Sequence, residues 1–420
     1  MKRYFLALLL AATTIMPAAA HAGLDEISVT PGKAGGVYYA YPVTESDNTP
    51  APAGYEPFYI SHYGRHGSRY LISDNDYTAP AKVLRRAKEH NTLTPLGIDV
   101  LGRLDSIYTE ARGRGGELSP LGYRQHRDIA DRMYRSFPQV FDKGADVSAA
   151  STTIMRCAHS MWAFTESLKS HAPWLEIPRE SSERNMYYLN YHSPESGPLP
   201  SHDGPYYQTW RKYKADRTKA DRLMTSLFSD KAYVDKWIDP QQLMWQLYWI
   251  AVGQQNIEST LDLTDIFTTQ ELYDMWTVFN FEFFGRNSSY APAGGVFVKN
   301  ASNLVRHIVE QADKCIARGG HGATLRFGHD GNIVPLAALL GLKGCYTDIT
   351  EPEKLHEEWI DYKVSPMAAN LQIVFFRDKK GDVIAKLMLN ERETSVPVHT
   401  DIYPFYHWND LRSYLIEISE

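Results

Sequence analysis

Residues 58–69 have the sequence FYISHYGRHGSR, an apolar stretch that ends in a cluster of cationic side chains. The run Phe58–Tyr63 predicts a buried strand, because it is short, rich in aromatic residues and followed by glycines. Ligand-binding side chains of α/β proteins lie at the carboxyl ends of such strands. The cationic residues Arg65, His66 and Arg69 therefore mark a candidate functional site.

Two guanidinium groups flank one imidazole in this cluster, and that combination favours binding of an anion. Buried positive charge is costly unless an anion or carboxylates compensate it, and arginine matches phosphate oxygens with paired hydrogen bonds. A neutral His66 can attack phosphorus while Arg65 and Arg69 withdraw charge from the phosphoryl group. Gly64 and Gly67 allow the backbone to approach the anion. The alternative is a pair of surface arginines near a turn histidine.

A second cluster, His329-Asp330, follows the predicted strand Ala323–Phe327, and Gly331-Asn332 predicts the first turn of a helix. A helix N-terminus favours an anion, and Asp330 can deliver a proton to a leaving alkoxide. A phosphate group beside this carboxyl raises its pKa, which suits an acid. The alternative is that Asp330 only caps the helix.

The sequence does not predict a metal site. His62 and His66 are four residues apart, but this spacing does not bring two side chains to one face of a strand. Nearby arginines repel a cation. The stretch His356-Glu357-Glu358 lacks the second histidine of a zinc-binding helix.

The composition indicates a globular enzyme. The chain has 420 residues, of which 43% are hydrophobic and 22% charged, and this excludes the disordered and fibrous classes. The formal net charge of −6 argues against nonspecific nucleic-acid binding. The 3 cysteines are too few for a disulfide scaffold. Cys315 and Cys345 are a candidate pair in an oxidising compartment, whereas Cys157 is expected to be a buried thiol.

The N-terminus is typical of a signal peptide. Lys2 and Arg3 precede the apolar run Phe5–Ala12, which extends to Met16, and Ala20-His21-Ala22 supplies a cleavage site after about Ala22. The apolar run is too short to span a bilayer comfortably. We expect residues 1–22 to be removed and the mature protein to be exported, to the periplasm or outside the cell, without a membrane segment. An uncleaved anchor is the alternative.

The remaining pattern predicts an α/β core with a helical insertion. Two helices begin with a hydroxyl residue before proline, at Thr94-Pro95 and Ser119-Pro120. Further predicted elements are a strand at 145–150, a helix carrying Arg156, and a hairpin of 371–376 with 383–389. Strand alternation disappears between residues 176 and 299, where tryptophans lie in helix-like stretches. We therefore expect a core formed by 23–175 and 300–420, interrupted by a mainly helical cap at 176–299.

These motifs resemble those of the histidine acid phosphatases, branch 2 of the histidine phosphatase superfamily. That family has an early RHGxR motif, matched by Arg65–Arg69, and a late HD motif, matched by His329-Asp330. The segment from Ser151-Thr152 to Arg156 is similar to the family's third phosphate-binding segment. Leu118–Gly122 resembles its LTxxG helix start. The resemblance covers essentially the whole mature chain.

The resemblance implies a phosphoglycerate-mutase-like α/β fold, in which three layers place helices on both sides of a core sheet and a helical cap is inserted. It implies that His66 is the nucleophile and forms a phosphohistidine, which water then hydrolyses, and that Asp330 protonates the leaving group. It implies no metal or organic cofactor. It assigns phosphate binding to Arg65, Arg69, Arg156 and His329.

Two stretches, HYGRHGSRY at 62–70 and LMLNER at 387–392, are similar to the multiple inositol polyphosphate phosphatases. Through this likeness Arg392 becomes a candidate substrate contact, with a plain surface charge as the alternative. That sub-branch usually carries His-Ala-Glu at the proton-donor site. This chain has His329-Asp330-Gly331 there, as phytases and sugar-phosphate phosphatases do.

The expected substrate is a phosphate monoester, with inositol polyphosphates such as phytate favoured and sugar phosphates as the alternative. Two competing functions are a noncatalytic phosphate-binding protein and a mutase-like transferase. The presence of both His66 and Asp330 argues against the first, because binding needs neither a nucleophile nor an acid. Export and the large cap argue against the second.

Overall fold

The structure is a computed structural model that describes residues 22–42, 48–199 and 204–420. The predicted signal peptide, apart from its last residue Ala22, lies outside the described residues. None of the helices in these described ranges is long and apolar enough to cross a membrane.

A mixed β-sheet forms the centre of the described chain. Its strands are β1 Glu56–Arg65, β2 Asp146–Ser151, β3 Arg179–Ser181, β4 Gly322–Gly328, β5 Asn370–Arg377, β6 Val383–Leu389, β7 Arg392–Glu393 and β8 Phe405–His407. The strand order is β3-β2-β4-β1-β5-β6-β7, and β8 pairs with β6. Strands β3, β2, β4 and β1 are parallel, whereas β5 is antiparallel to β1 and forms a hairpin with β6. The strands and the hairpin predicted from sequence are confirmed.

Some helices pack on the two faces of this sheet, and the others pack on one another in a separate helical layer. They are α1 Ala22–Val29, α2 Asp74–Glu89, α3 Pro95–Ala111, α4 Pro120–Ser136, α5 Met155–His171, α6 Met186–Leu189, α7 Tyr207–Arg217, α8 Asp221–Leu227, α9 Lys231–Trp237, α10 Pro240–Gly253, α11 Thr269–Asn287, α12 Val296–Lys299, α13 Ser302–Ala317, α14 Asp330–Leu339, α15 Pro352–Glu358, α16 Asp361–Val364 and α17 Trp408–Ser419. Thr94 and Ser119 cap α3 and α4 with their side chains, and proline follows each cap. Both predicted helix starts are thus confirmed.

Alternating residues of β1 face opposite sides of the sheet, which makes the core three-layered. Ile60 packs on the side covered by α4 and α5, together with Ile129 and Phe164. Tyr59 and Tyr63 pack on the other side, where α13, α14 and α17 supply the cover. Because β1, β4 and β5 bury both faces, they appear in the sequence as largely apolar runs. The predicted α/β fold class is confirmed.

The helical layer draws on more of the chain than the range 176–299. Leu84 of α2 and Val100 of α3 share one hydrophobic cluster with Leu223 of α8 and Trp276 of α11. In addition, the first residues of that range belong to the sheet, because β3 pairs in parallel with β2. A strand of three partly exposed residues has no alternation that sequence patterns detect. The domain boundaries stay a prediction.

Candidate active site

Three parallel strands end at the same level and present the site at one edge of the sheet. In the register, Arg65 at the end of β1 lies opposite Gly328 of β4, and Ser151 at the end of β2 lies opposite Phe327. The next residues along the chain, His66, His329 and Thr152, therefore leave the sheet side by side. The rings of His66 and His329 are 5.7 Å apart between centroids.

One ring nitrogen of His66 is hydrogen-bonded to the backbone, and no hydrogen bond to the other is seen within the described residues. Its Nδ1 lies 2.9 Å from the carbonyl oxygen of Gly67 and donates to it in the neutral ring. That tautomer leaves an unprotonated lone pair on Nε2. The ring lines a cavity of about 570 Å³. Burial, together with the charges of Arg65, Arg156 and Arg69, holds the pKa of His66 well below its ordinary value, so the ring is neutral.

The guanidinium of Arg65, the residue before His66 in the chain, is fully buried. Its Nη1 donates to the carbonyl oxygens of Ser365, at 2.9 Å, and of Val37. Its Nη2 forms an ion pair with Asp330. Burial lowers the pKa of Arg65, and Asp330 offsets part of that effect.

Two more arginines complete a cationic group around the cavity. Arg69 follows His66 in the loop after β1, and Arg156 is the second residue of α5. Both line the cavity with His66. Within the described ranges, the Nε atoms of Arg65, Arg69 and Arg156 are buried and have no hydrogen-bond partner. Burial and the charge of Arg69 lower the pKa of Arg156. This arrangement is suited to an anion with several oxygens.

His329 and Asp330 lie at the start of α14. A hydrogen bond of 3.1 Å joins His329 Nε2 to the hydroxyl of Thr152. Burial, followed by the charges of Arg156 and Arg65, lowers the pKa of His329 to about 4. Asp330 accepts the amide hydrogen of Gly331 with Oδ1, at 2.8 Å, and lines the cavity. His329 is the N-cap residue of α14, so the aspartate binds one amide of the first turn and also faces the cavity.

Buried polar groups from distant elements hold the loop that carries His66. Gln125 of α4 accepts the amide hydrogen of Ser68 and donates to its hydroxyl, at 2.8 and 2.9 Å. The same hydroxyl donates to Asn256, at 2.7 Å, and the Gly67 amide donates to Ser160. These partners could not be predicted from the sequence, since neutral residues in helices and short loops give no local pattern of a site.

Close backbone packing explains why the LSPLG stretch ends in a glycine, Gly122. A Cβ atom on Gly67 would lie 2.6 Å from the carbonyl oxygen of Gly122, and one on Gly122 would lie 2.3 Å from that of Ser68. The Ser119 amide also donates to Ser68, at 2.9 Å. The start of α4 and the loop after β1 therefore contact each other backbone to backbone, which explains why both motifs contain glycine.

The outer wall of the cavity mixes aromatic and charged groups. Phe279 and Phe283 of α11 line it, and so do Glu282 and Arg286, which form an ion pair of 3.1 Å. His192 also lines the cavity. A ligand in this cavity therefore meets the arginines beside His66 and, on α11, a mixture of aromatic and charged side chains.

The remaining predicted residues lie elsewhere. Arg392 is exposed on the edge strand β7 and is not among the cavity-lining residues, so the structure does not bring it to the other candidates, and its role stays a prediction. His62 is buried between Phe164 and Phe327. The cysteines at 157, 315 and 345 are free, so the candidate pair is not bonded here.

Comparison with known proteins identifies the family of this site. The sequence model of the histidine phosphatase superfamily (branch 2) matches residues 64–398. No curated protein matches the sequence.

Solved structures share the fold. Multiple inositol polyphosphate phosphatase from Bifidobacterium longum, in complex with inositol hexasulfate, has a TM-score of 0.77 at 18% identity, over 91% of this chain and 97% of the other. The phytase from D. castellii has a TM-score of 0.66 at 14% identity, over 92% and 85%. Hafnia alvei phytase has a TM-score of 0.53 at 12% identity, over 88% and 98%. At these identities the likeness establishes the fold.

Proposed function

The chain belongs to branch 2 of the histidine phosphatase superfamily, and on that premise we propose that it is a phosphomonoesterase that works through a phosphohistidine on His66. One observation carries the proposal. Within the described residues, three arginines with buried, unpaired Nε atoms surround a neutral imidazole whose ring lines a cavity and whose Nδ1 is held by the backbone. Such a site holds phosphoryl oxygens and presents a nucleophile to phosphorus.

The proposed reaction has two steps. His66 Nε2 attacks phosphorus, the bond from phosphorus to the ester oxygen breaks, and Asp330 gives its proton to that oxygen as the alcohol leaves. Water then attacks the phosphorus of the phosphohistidine, Asp330 takes a proton from this water, and the bond from phosphorus to Nε2 breaks, which releases inorganic phosphate and regenerates His66. Arg65, Arg69, Arg156 and His329 stabilise the charge on the equatorial oxygens in both transition states.

Asp330 becomes an acid through substrate binding. In the structure Arg65 and His329 hold the pKa of Asp330 below its ordinary value, although burial acts in the opposite direction. A phosphoryl dianion neutralises the cations and adds negative charge beside the carboxyl. Both effects raise the pKa of Asp330 and favour its protonated form in the complex.

We propose inositol polyphosphates such as phytate as the substrate class. The fold likeness to a multiple inositol polyphosphate phosphatase and to phytases supports this choice. The cavity is large enough for a phosphorylated ring, at about 570 Å³. Arg286, which also lines the cavity, supplies a cation for phosphates that are not being cleaved.

Simpler esters such as sugar phosphates are the second candidate. Phe279 and Phe283 give the outer wall an apolar surface, and Glu282 adds a negative charge that repels additional phosphates. A noncatalytic phosphate-binding role is the weaker alternative, because it gives no reason for the free Nε2 of His66 or for the carboxyl of Asp330 in the cavity.

Export is part of the proposal. Residues 1–22 have the basic, apolar and small-residue regions of a cleaved signal, and no helix in the described ranges could span a membrane. N-terminal sequencing of the protein from the periplasmic and culture fractions tests this. A mature chain beginning at about Gly23 is expected, and an intact N-terminus retained with the membrane fraction would contradict export.

Phosphate release tests the activity. The mature protein is assayed with phytate, a sugar phosphate and an aryl phosphate, in the presence of a chelator. His66→Ala should abolish turnover, whereas His321→Ala, which alters the opposite end of β4, should not. Release from phytate supports the inositol polyphosphate class, and release from the other esters alone moves the assignment to simpler esters. Failure with all three would overturn the proposed activity.

A further inference from the structure

A residue outside the region matched by the family model lies in the active-site cavity. The match begins at residue 64, yet Tyr38, at the end of the 3-10 helix Pro31–Tyr38, lines the cavity together with His66, Arg69 and Asp330. The N-terminal segment of the mature chain therefore contributes directly to the wall of the site.

The ring of Tyr38 packs on one of the arginines. The Arg69 guanidinium carbon lies 5.0 Å from the ring centroid, within the range of a cation–π contact. The ring also stacks on Phe279, with centroids 5.8 Å apart and an interplanar angle of 15°, and it makes a T-shaped contact with Trp249. These contacts fix the plane of the ring, and with it the direction of the phenol.

The side chain of Tyr38 shares the cavity with a second arginine. Tyr38 and Arg156 both line it, so one ligand can contact both side chains. Tyr38 is partly exposed, and in the part of the chain that the structure describes no group forms a hydrogen bond with its hydroxyl. A hydroxyl without a protein partner, in a cavity that Arg69 and Arg156 also line, is a further donor for the same anion.

We propose that Tyr38 is a phosphate-binding residue: its hydroxyl donates a hydrogen bond to the phosphoryl group held by Arg65 and Arg156, while its ring orients Arg69. The inference rests on the proposed function for its catalytic consequence. Its binding component concerns inorganic phosphate and does not require turnover.

The backbone around Tyr38 is anchored to the site, so its position is not that of a loose terminus. The carbonyl of Val37 accepts a hydrogen bond from Arg65, and the carbonyl of Tyr38 accepts one from Asn256, at 2.8 Å. Gly36 has a φ of +56°, and a Cβ there would lie 2.1 Å from Oδ2 of the buried Asp361. Three consecutive residues, 36–38, are thus held against the groups that surround the cavity.

A purely structural role makes a different prediction. If Tyr38 only fills space between Trp249 and Phe279, the ring suffices and Tyr38→Phe leaves binding unchanged. If the hydroxyl contacts phosphate, the same variant loses a hydrogen bond to an anion. Such a bond typically changes affinity by about tenfold to a hundredfold.

Calorimetric titration with inorganic phosphate provides the test. Tyr38→Phe should bind phosphate about tenfold or more weakly than the unmodified protein, with the melting temperature retained. The matched control is Tyr39→Phe, since Tyr39 packs against Tyr362 and does not line the cavity. This control should bind phosphate normally.

The outcomes separate this inference from the proposed function. Unchanged phosphate affinity in Tyr38→Phe would overturn the role of the hydroxyl. Absence of phosphate binding by the unmodified protein would overturn it as well. If the unmodified protein binds phosphate and Tyr38→Phe weakens that binding, but no ester is hydrolysed, the inference stands and the proposed activity fails.

Discussion

The guanidinium Nη2 of Arg65 lies 2.6 Å from Oδ2 of Asp330, and their side chains are 0% and 26% exposed. The pair connects the two motifs, one at the end of β1 and the other at the end of β4. In the proposed reaction, a phosphoryl group in the cavity competes with Asp330 for Arg65. On that proposal, substrate binding weakens this ion pair and prepares Asp330 to hold a proton.

Asp330→Asn should affect poor leaving groups most. Without a proton donor, kcat for an alkyl ester such as an inositol phosphate should fall about 10²–10⁴-fold. An activated aryl phosphate needs little protonation and should lose much less. Steady-state kinetics on both substrates gives the comparison, with the exposed Asp401→Asn as control. Equal losses on both esters would remove Asp330 from the role of proton donor.

The acid limb of the pH–rate profile should lie well below pH 6.5. Only neutral His66 attacks phosphorus, and this form predominates above its pKa. Because burial and the arginine charges depress that pKa, lowering the pH through 6.5 should leave kcat/KM largely intact. Arg156→Gln removes one of these charges, so the limb should move to higher pH. A limb at 6.5 in the unmodified protein, or a downward shift in the variant, contradicts this account.

The contact between Gly122 and Ser68 should be intolerant of a side chain. Gly122→Ala places a Cβ 2.3 Å from a backbone oxygen, which forces the loop carrying His66 to move and should cost most of the activity. Gly102→Ala is the matched control, because a Cβ there meets no atom within 4 Å. In the middle of α3 it should stabilise the protein by roughly 0.5–1 kcal/mol. Comparable activity in the two variants would argue against the contact.

The protein should lose stability as the pH falls from about 6.5 towards 3. Burial lowers the pKa of His62 and of His126 to about 3. The unfolded chain takes up these protons below pH 6.5 while the folded chain does not, so the free energy of unfolding decreases as the pH falls. Each histidine contributes up to about 1.4 kcal/mol per pH unit.

Urea unfolding between pH 4 and 7 measures this slope. His62→Phe keeps an aromatic ring against Phe164 and Phe327 but cannot take up a proton. Its unfolding free energy should therefore depend less steeply on pH. An unchanged slope would show that His62 is not neutral in the folded protein.

The sequence was most informative where strands end in charged residues. Arg65, His66, His329 and Asp330 follow apolar runs directly, and parallel strands bring their carboxyl ends to one edge. The register of β1, β2 and β4 explains why residues from three separate segments meet there. The fold class and the meeting of the two motifs could therefore be predicted from the sequence alone.

Other parts of the site depend on packing between distant segments. Gln125 and Asn256 support the loop through neutral hydrogen bonds, and Tyr38 reaches the cavity from a 3-10 helix. None of these residues belongs to a charged motif or a periodic pattern. The short strand β3 escaped detection for the same reason, since its pairing partner rather than its own sequence makes it a strand.

The central claim is that His66 becomes covalently phosphorylated. Quenching a reaction with radiolabelled phosphate ester under alkaline conditions, which preserve phosphohistidine, and mapping the label by peptide mass spectrometry tests it directly. We predict label on the peptide containing His66, and its loss in His66→Ala. Label on another residue, or undiminished phosphate release by His66→Ala, would contradict the account.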